Sequence, residues 1–469
     1  MKFFRTKEIP QNVETTQLKR NLKTKDLLIL GIGAIVGTGI FTITGIAASE
    51  CAGPALTLSF LIAAVAVGIS GLFYAEFASR IPMIGGPYAY LYSVLGEGIA
   101  WLTGWLMILE FMLAISSVAS GWAGYLQGWL NSLGIYLPKV LRASFNLKNG
   151  TYVDILAMLV LLFVTLWVSQ EAKKMLRLNQ WMVYVKFGII ALFVTIGMFF
   201  INLKNLTPFM PYGFIGAHGK GGVMAGAALV FFAYLGFESV PMAVEEVENP
   251  QKRIPQGVLG SIVLVAVLYM IVTLMLTGIV PFDKLNGIKD PVAYAMRAIN
   301  QPLVASIISI TAVLTLLTVC ISMLYSLSRL IYAISKDGLL PESLQKVDHK
   351  TQVPKNATFV AGIFSMIFAG VFPLNLLAEF VNIATLMYLI FIAIGIIILR
   401  QKFGEPHKKE FKTPFVPMLP ILSIAISGYL MFRLQAVTWL SFFVALILGF
   451  IIYFCYGSKH SLLDTKNKY

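Results

Sequence analysis

Residues 31–41, Gly31-Ile32-Gly33-Ala34-Ile35-Val36-Gly37-Thr38-Gly39-Ile40-Phe41, set a Gly-Thr-Gly interruption inside a hydrophobic segment long enough to cross a bilayer. In hydrocarbon every backbone N–H and C=O must be satisfied internally, so irregular backbone at that depth persists only where protein or a water-filled cavity surrounds it. Glycine also lets a ligand approach the main chain closely. If the helix unwinds at Gly37, Thr38 and Gly39, its first half ends in free carbonyls and its second half begins with free amides. One segment then offers partners for an ammonium and a carboxylate together. The competing reading is a packing face, because small residues at four-residue spacing, here Gly33 and Gly37, are common where membrane helices touch.

Composition supports a membrane setting for this stretch. Of the 469 residues, 58% are hydrophobic and 12% charged, whereas soluble domains carry about 25% charged residues. Apolar runs of about twenty residues recur from Leu27 to Tyr456 without an alternating-strand pattern, so the spans are expected to be helices. Twelve are read, at 27–49, 55–79, 98–128, 153–169, 181–201, 221–244, 257–280, 303–333, 357–372, 375–400, 418–434 and 437–456. The third and eighth are long enough to be tilted or bent.

The net charge of +14 invites a nucleic-acid reading, but its distribution follows a membrane. With the N-terminus placed in the cytoplasm, 26 Lys and Arg fall on that side and 9 on the other, leaving Lys186 inside the bilayer. The positive-inside rule therefore expects both termini to be cytoplasmic, which needs an even number of spans. The expected surroundings are a lipid bilayer, and no nucleic-acid partner follows. Cys51, Cys320 and Cys455 are scattered, giving neither a disulfide framework nor metal-ligand spacing, and no cofactor is called for. His218, His349, His407 and His460 all fall in loops or tails, which disfavours an intramembrane zinc site or a histidine proton relay. The first twenty-five residues are charged with no cleavage pattern, so the first span is expected to stay in the mature protein. Asn149 and Asn205 begin sequons that would face outward.

Shifting the first span by about 197 residues lands on a second interruption, Phe231-Phe232-Ala233-Tyr234-Leu235-Gly236-Phe237, in the sixth. The same shift carries the second span onto the seventh and the fifth onto the tenth. Five spans is an odd number, so the second repeat is inverted relative to the first. Broken segments at matching positions of two inverted halves point to a transporter's midplane site. The expected organisation is a tail at 1–26, a five-helix repeat at 27–201, its inverted partner at 221–400, two further helices within 418–456, and a tail at 457–469.

Glu110 lies mid-way along the third span, between Trp105-Leu106-Met107-Ile108 and Phe111-Met112-Leu113. Ionisable groups at such depth cost about 2.5–3.5 kcal/mol on insertion scales and face a cavity or a partner. Glu110 either lines the site, favouring a cationic side chain, or is hydrogen-bonded or protonated within the bundle. Lys186 needs oxygen acceptors; carbonyls freed by the first break would supply them, coupling its protonation to the position of the first span. The alternative is a permanently charged structural lysine paired with a carboxylate. Glu76 and Arg80 are expected to form a plain interfacial i,i+4 pair. Gly85-Gly86-Pro87-Tyr88-Ala89-Tyr90 reads as a turn with aromatic anchors. Glu245-Glu246, followed by Asn249-Pro250, reads as a solvated loop or a gate. Thr315, Thr318, Ser322 and Ser326 form a polar stripe of hydroxyls expected to back-bond or to join helices.

Together, Gly31–Phe41, Gly85–Tyr90, Phe231-Phe232-Ala233-Tyr234-Leu235-Gly236-Phe237-Glu238 and Glu245-Glu246-Val247-Glu248-Asn249-Pro250 resemble the amino acid–polyamine–organocation (APC) superfamily. The likeness runs from about residue 20 to 456 and is to the cationic amino acid transporter branch that includes bacterial ApcT-like permeases. It implies an all-α, LeuT-like fold with discontinuous helices 1 and 6. The substrate's carboxylate and amine would meet the backbone of Ile35, Gly37, Thr38 and Gly39, then Phe232, Leu235 and Gly236, with Phe232 as a gating aromatic. Lys186 matches the lysine that stands in place of a sodium ion against span 1, implying proton coupling. Glu110, with Phe111 beside it, falls near the substrate side chain, as do Thr318, Cys320 and Ser322. The expected function is a secondary transporter importing cationic and/or small neutral amino acids with protons by alternating access, in the cell membrane. An exchanger without net proton movement is the nearest alternative and a membrane sensor a more distant one. An enzyme is not expected, because no nucleophile, base and orienting group are clustered in the spans. An oligomer or a small membrane subunit stays open.

Overall fold

The structure is a computed structural model that describes residues 2–7, 22–81, 85–170, 172–216, 221–242, 247, 249–348, 350–351, 353–407 and 410–463. Glu245 and Glu246, read as loop or gate, lie outside the described residues, as do His218 and His349. Among the described residues the regular structure is helical, with isolated bridges such as Leu22 with Val247. In chain order the main helices are α1 Thr24–Ile35, α2 Leu56–Arg80, α3 Pro87–Val94, α4 Glu97–Ser132, α5 Ile155–Val168, α6 Ala172–Gly197, α7 Val223–Val230 and α8 Ser239–Met242. They continue with α9 Pro250–Ile279, α10 Pro291–Ala298, α11 Pro302–Lys336, α12 Lys355–Val371, α13 Leu374–Phe403, α14 Met418–Phe432 and α15 Ala436–Ile452. Proline opens α3, α9, α10 and α11, where its missing N–H costs nothing and its fixed φ starts the helix.

Among the described residues, eight stretches are long and apolar enough to cross a membrane, and α5, α12 and α14 are shorter apolar helices. Burial sorts them into an inner and an outer set. In α4 and in the stretch Val223–Pro241, 78% of the apolar window is buried, against 22% in Ala436–His460 and 33% in Trp181–Phe200. The outer helices spend Leu440, Phe443, Ile447 and Ile451 on the exterior, as a lipid-facing surface requires. With 36 residues, α4 is about 54 Å long, well beyond a hydrocarbon core of about 30 Å, so it is tilted or extends past the core.

Two local readings differ from the structure. Gly85 and Gly86 do turn, at φ +118° and +56°, but Pro87–Val94 then forms a helix of its own whose Tyr88, Tyr90 and Tyr92 are buried. Three aromatic rings spaced two apart cannot share one helix face, and all are covered because α3 is surrounded on every side. The Glu76–Arg80 pair exists at 3.6 Å, but Glu76 is fully buried and held mainly by Arg400, whose Nε and Nη2 donate to its two oxygens at 3.0 and 2.8 Å. The amide of Thr413 adds a third bond at 2.8 Å. A bidentate guanidinium outcompetes a neighbour one turn away because it satisfies both carboxylate oxygens at once.

Candidate functional site

The first interruption is real backbone irregularity. Regular α-helix stops at Ile35, Val36 turns extended at ψ 100°, and helix resumes only at Gly39, first as a wide π turn to Ile43. The last carbonyls of α1 therefore lack helical partners, and side chains from other spans fill the role. Lys186 Nζ, on α6 and only 1% exposed, donates to the Gly33 carbonyl at 2.8 Å. Tyr269 OH on α9 lies 3.0 Å from the Ile35 carbonyl and 2.9 Å from that of Ala233, bridging both breaks. Tyr125 OH on α4 donates to Phe41 at 2.6 Å.

The second interruption follows α7. A tight 3-10 turn covers Phe231–Tyr234, Leu235 is extended, and Gly236 takes φ +103° before α8 begins. Only glycine suits that position: its conformation is left-handed, and a Cβ there would sit 2.7 Å from the Ala34 carbonyl oxygen. A Cβ on Gly39 would likewise lie 2.4 Å from that of Ala233. The two breaks are pressed together, and each glycine is the reason the other half can come so close. Gly33 meets Val183 of α6 in the same way, at 2.5 Å, so the packing reading of the small residues also holds at that position. Gly37 differs, since a Cβ there would only touch Val319 at 3.6 Å.

Beside this seam lies a cavity of about 200 Å³. Its walls are Leu30, Gly33 and Ala34 before the first break, Glu110, Phe111 and Ala114 on α4, Leu235, Gly236, Glu238 and Ser239 after the second, and Val319, Ser322, Met323, Tyr325 and Ser326 on α11. Glu110 and Glu238 are both buried, and Tyr388 OH on α13 bonds to both, at 3.2 Å to Glu110 and by a short contact to Glu238. The second oxygen of Glu110 has no hydrogen-bond partner among the described residues. The cavity thus presents two carboxyl groups, three serine hydroxyls, the end of α1 and the Leu235–Gly236 backbone of the second break within an otherwise largely apolar wall, a combination suited to a small ligand with polar ends. A second, wider and more polar cavity of about 920 Å³ is lined by Gly124, Gln127, Lys289, Asp290 and Arg297. Arg297 binds Asp290 at 2.6 Å, Lys289 binds Asp154 at 2.9 Å, and Pro291 packs where a Cβ on Gly45 would stand, 2.8 Å away.

Of the residues expected at a binding site, Glu110, Phe111, Leu235, Gly236 and Ser322 line the cavity. Ile35, Gly37, Thr38, Gly39 and Phe232 lie along the adjoining seam and not on its wall, with Thr38 and Phe232 buried. Thr318 donates to the Thr315 carbonyl at 2.7 Å and, like the buried Cys320, is off the wall. Ser322 and Ser326 bond back along α11 at 3.0 and 3.1 Å, the local partner a hydroxyl finds in a membrane helix. Glu238 and Tyr388 were assigned no role from sequence. Glu238 carried the available signal, a second acid at the end of the interrupted apolar stretch; Tyr388 carried none.

The amino acid permease family model matches residues 22–453. The chain is 42% identical to the methylthioribose transporter of Bacillus subtilis (strain 168), over 96% of each chain. It is 42% identical to the branched-chain amino acid permease BcaP of the same organism, over 98% of this chain and 99% of that one. A more distant relative is the vacuolar cationic amino acid transporter 4 of Arabidopsis thaliana, 27% identical over 96% and 93%. These relatives are permeases and transporters, not enzymes, and with its apolar helices the chain is a multi-pass membrane protein of the amino acid permease family, within the APC superfamily.

Proposed function

We propose that this protein is a secondary active transporter that imports amino acids, cationic and/or small neutral, by proton symport and alternating access across the cell membrane. The observation that carries the reading is the Lys186–Gly33 bond: the one basic residue the sequence leaves inside the bilayer grips the end of the broken helix that walls the cavity. A lysine so placed ties its proton to the position of α1, because a neutral amine loses its hold as a charged donor on that carbonyl. The twelve-span, LeuT-like 5+5 reading is supported by the two breaks and by the helix order, counting α1 with Gly39–Ala52 as the first span and α7 with α8 as the sixth. With the N-terminus cytoplasmic, the cavity walled by Leu30, Gly33 and Ala34 lies on the cytoplasmic side of the seam.

Relatives of equal identity bear names that refer to a branched-chain amino acid and to a thio-sugar, so substrate choice rests on the cavity. Backbone from two breaks suits the carboxylate and amine common to amino acids; the Glu110–Glu238 pair is balanced either by a cationic side chain or by a proton.

Uptake into proteoliposomes under an imposed pH gradient, with the twenty amino acids and methylthioribose as competitors, tests the reading. Accumulation that follows the gradient and is blocked by amino acids is expected; uptake only into preloaded vesicles indicates exchange. Lys186→Gln should lower gradient-driven accumulation by about tenfold or more, the loss of roughly 1.4 kcal/mol of coupling, while leaving some exchange. A Lys186→Gln protein that still concentrates substrate against the gradient would end the coupling proposal.

A further inference from the structure

Lys186 has a counterpart in the other half of the chain. Asn382, fully buried on α13, donates its Nδ2 amide to the carbonyls of Ala228 at 2.8 Å and Leu229 at 3.0 Å. These carbonyls belong to the last turn of α7, immediately before the Phe231–Tyr234 turn, as Gly33 belongs to the last turn of α1. The positions correspond in number as well: Asn382 stands 196 residues after Lys186, and Leu229 stands 196 after Gly33 (382 − 186 and 229 − 33). Beside the Tyr269 hydroxyl that serves both breaks, each interrupted helix is therefore held at its end by a polar side chain from a later span, at the same offset.

The two donors differ in chemistry. Lys186 is a titratable amine on a flexible four-carbon stem, whereas the Asn382 amide is neutral and stands on a short, stiff one. The Asn382 Oδ1 has no partner among the described residues, so the two carbonyls alone set the orientation of the amide. The same helix also reaches past the break, where Tyr388 bonds to Glu238. α13 thus holds the second interruption from both ends, by an uncharged contact before it and by the Tyr388 contact, which also reaches Glu110, after it. Phe232, Leu235 and Gly236 lie between these two points.

We propose that Asn382 is a positioning residue for the substrate-backbone site: it pins the end of α7 so that the Phe232–Gly236 turn keeps its place against the first break. The proposal rests on the reading of the two breaks as the site for the substrate's carboxylate and amine. It predicts an effect on affinity that is separable from proton coupling. Purified wild type, Asn382→Leu, Asn382→Ser and Lys186→Gln are reconstituted, and exchange of L-alanine, L-leucine and L-arginine is measured together with uptake driven by a pH gradient. Both Asn382 variants should raise KM for exchange about tenfold or more, with the maximal rate per inserted protein and the response to the gradient retained. Lys186→Gln should show the reverse pattern. The serine variant, smaller and able to donate one bond, carries the test if the leucine variant does not fold. Wild-type KM in a folded Asn382 variant would overturn the proposal, as would a raised KM accompanied by parallel losses of maximal rate and melting temperature, which marks a packing role only. A wild type that moves none of the three amino acids would overturn the backbone-site reading itself, and the proposal with it.

Discussion

Tyr388 places one hydroxyl between two carboxyl groups, and one hydroxyl has a single proton to donate. Glu110 and Glu238 therefore cannot both be satisfied by it as carboxylates, and the remaining charge must be met by a proton or by something in the cavity. If a cationic substrate side chain meets it, Glu110→Gln should weaken competition by arginine and lysine about tenfold or more relative to alanine, measured as inhibition of labelled uptake. Equal loss of alanine and arginine transport would make Glu110 structural. Glu238→Gln in the same assay shows which of the two acids the side chain addresses. Tyr269 acts on the seam instead, since its hydroxyl lies within hydrogen-bond distance of carbonyls from both breaks. Tyr269→Phe leaves those buried acceptors short of a donor, a cost of about 1–3 kcal/mol, and should lower the melting temperature in detergent along with transport.

Among the elements, the two interrupted helices are set by glycines that do different things. Gly236 needs both its left-handed φ of +103° and the absence of a Cβ, which would stand 2.7 Å from the Ala34 carbonyl oxygen. Gly236→Ala should destabilise the protein by about 1–3 kcal/mol from backbone strain alone and push the breaks apart. Gly37 has ordinary contact distance to Val319, so Gly37→Ala should fold normally. A folded Gly37→Ala protein with impaired uptake would show that a ligand, and not a neighbouring helix, needs that space; unimpaired uptake would remove Gly37 from the binding site. Fluorescence-detected size exclusion followed by uptake separates the two outcomes.

Across the whole molecule, distant segments are joined by buried polar contacts that sequence separation hides. Glu76 at the end of α2 takes both arms of Arg400 from the end of α13 and the amide of Thr413 beyond it. Glu76→Gln removes the bidentate partner and leaves Arg400 with Glu405 at 3.5 Å and the Thr413 carbonyl at 2.7 Å, so it should destabilise by about 1–3 kcal/mol, read as a lower unfolding temperature. The sequence by itself determined which segments are apolar, where glycine interrupts them, and that Lys186 and Glu110 stand within them, because hydropathy and backbone freedom are local properties. For Lys186 it left two partners open, a carbonyl freed by the first break or a carboxylate, and packing supplies the Gly33 carbonyl. The Glu110–Tyr388–Glu238 cluster was decided by tertiary structure, its bonds spanning 278 and 150 residues of chain. So were the capture of Glu76 by Arg400 and the burial of all three α3 tyrosines. In each case the deciding quantity is which side chains from separate helices share a small space, and that is fixed only when the helices pack.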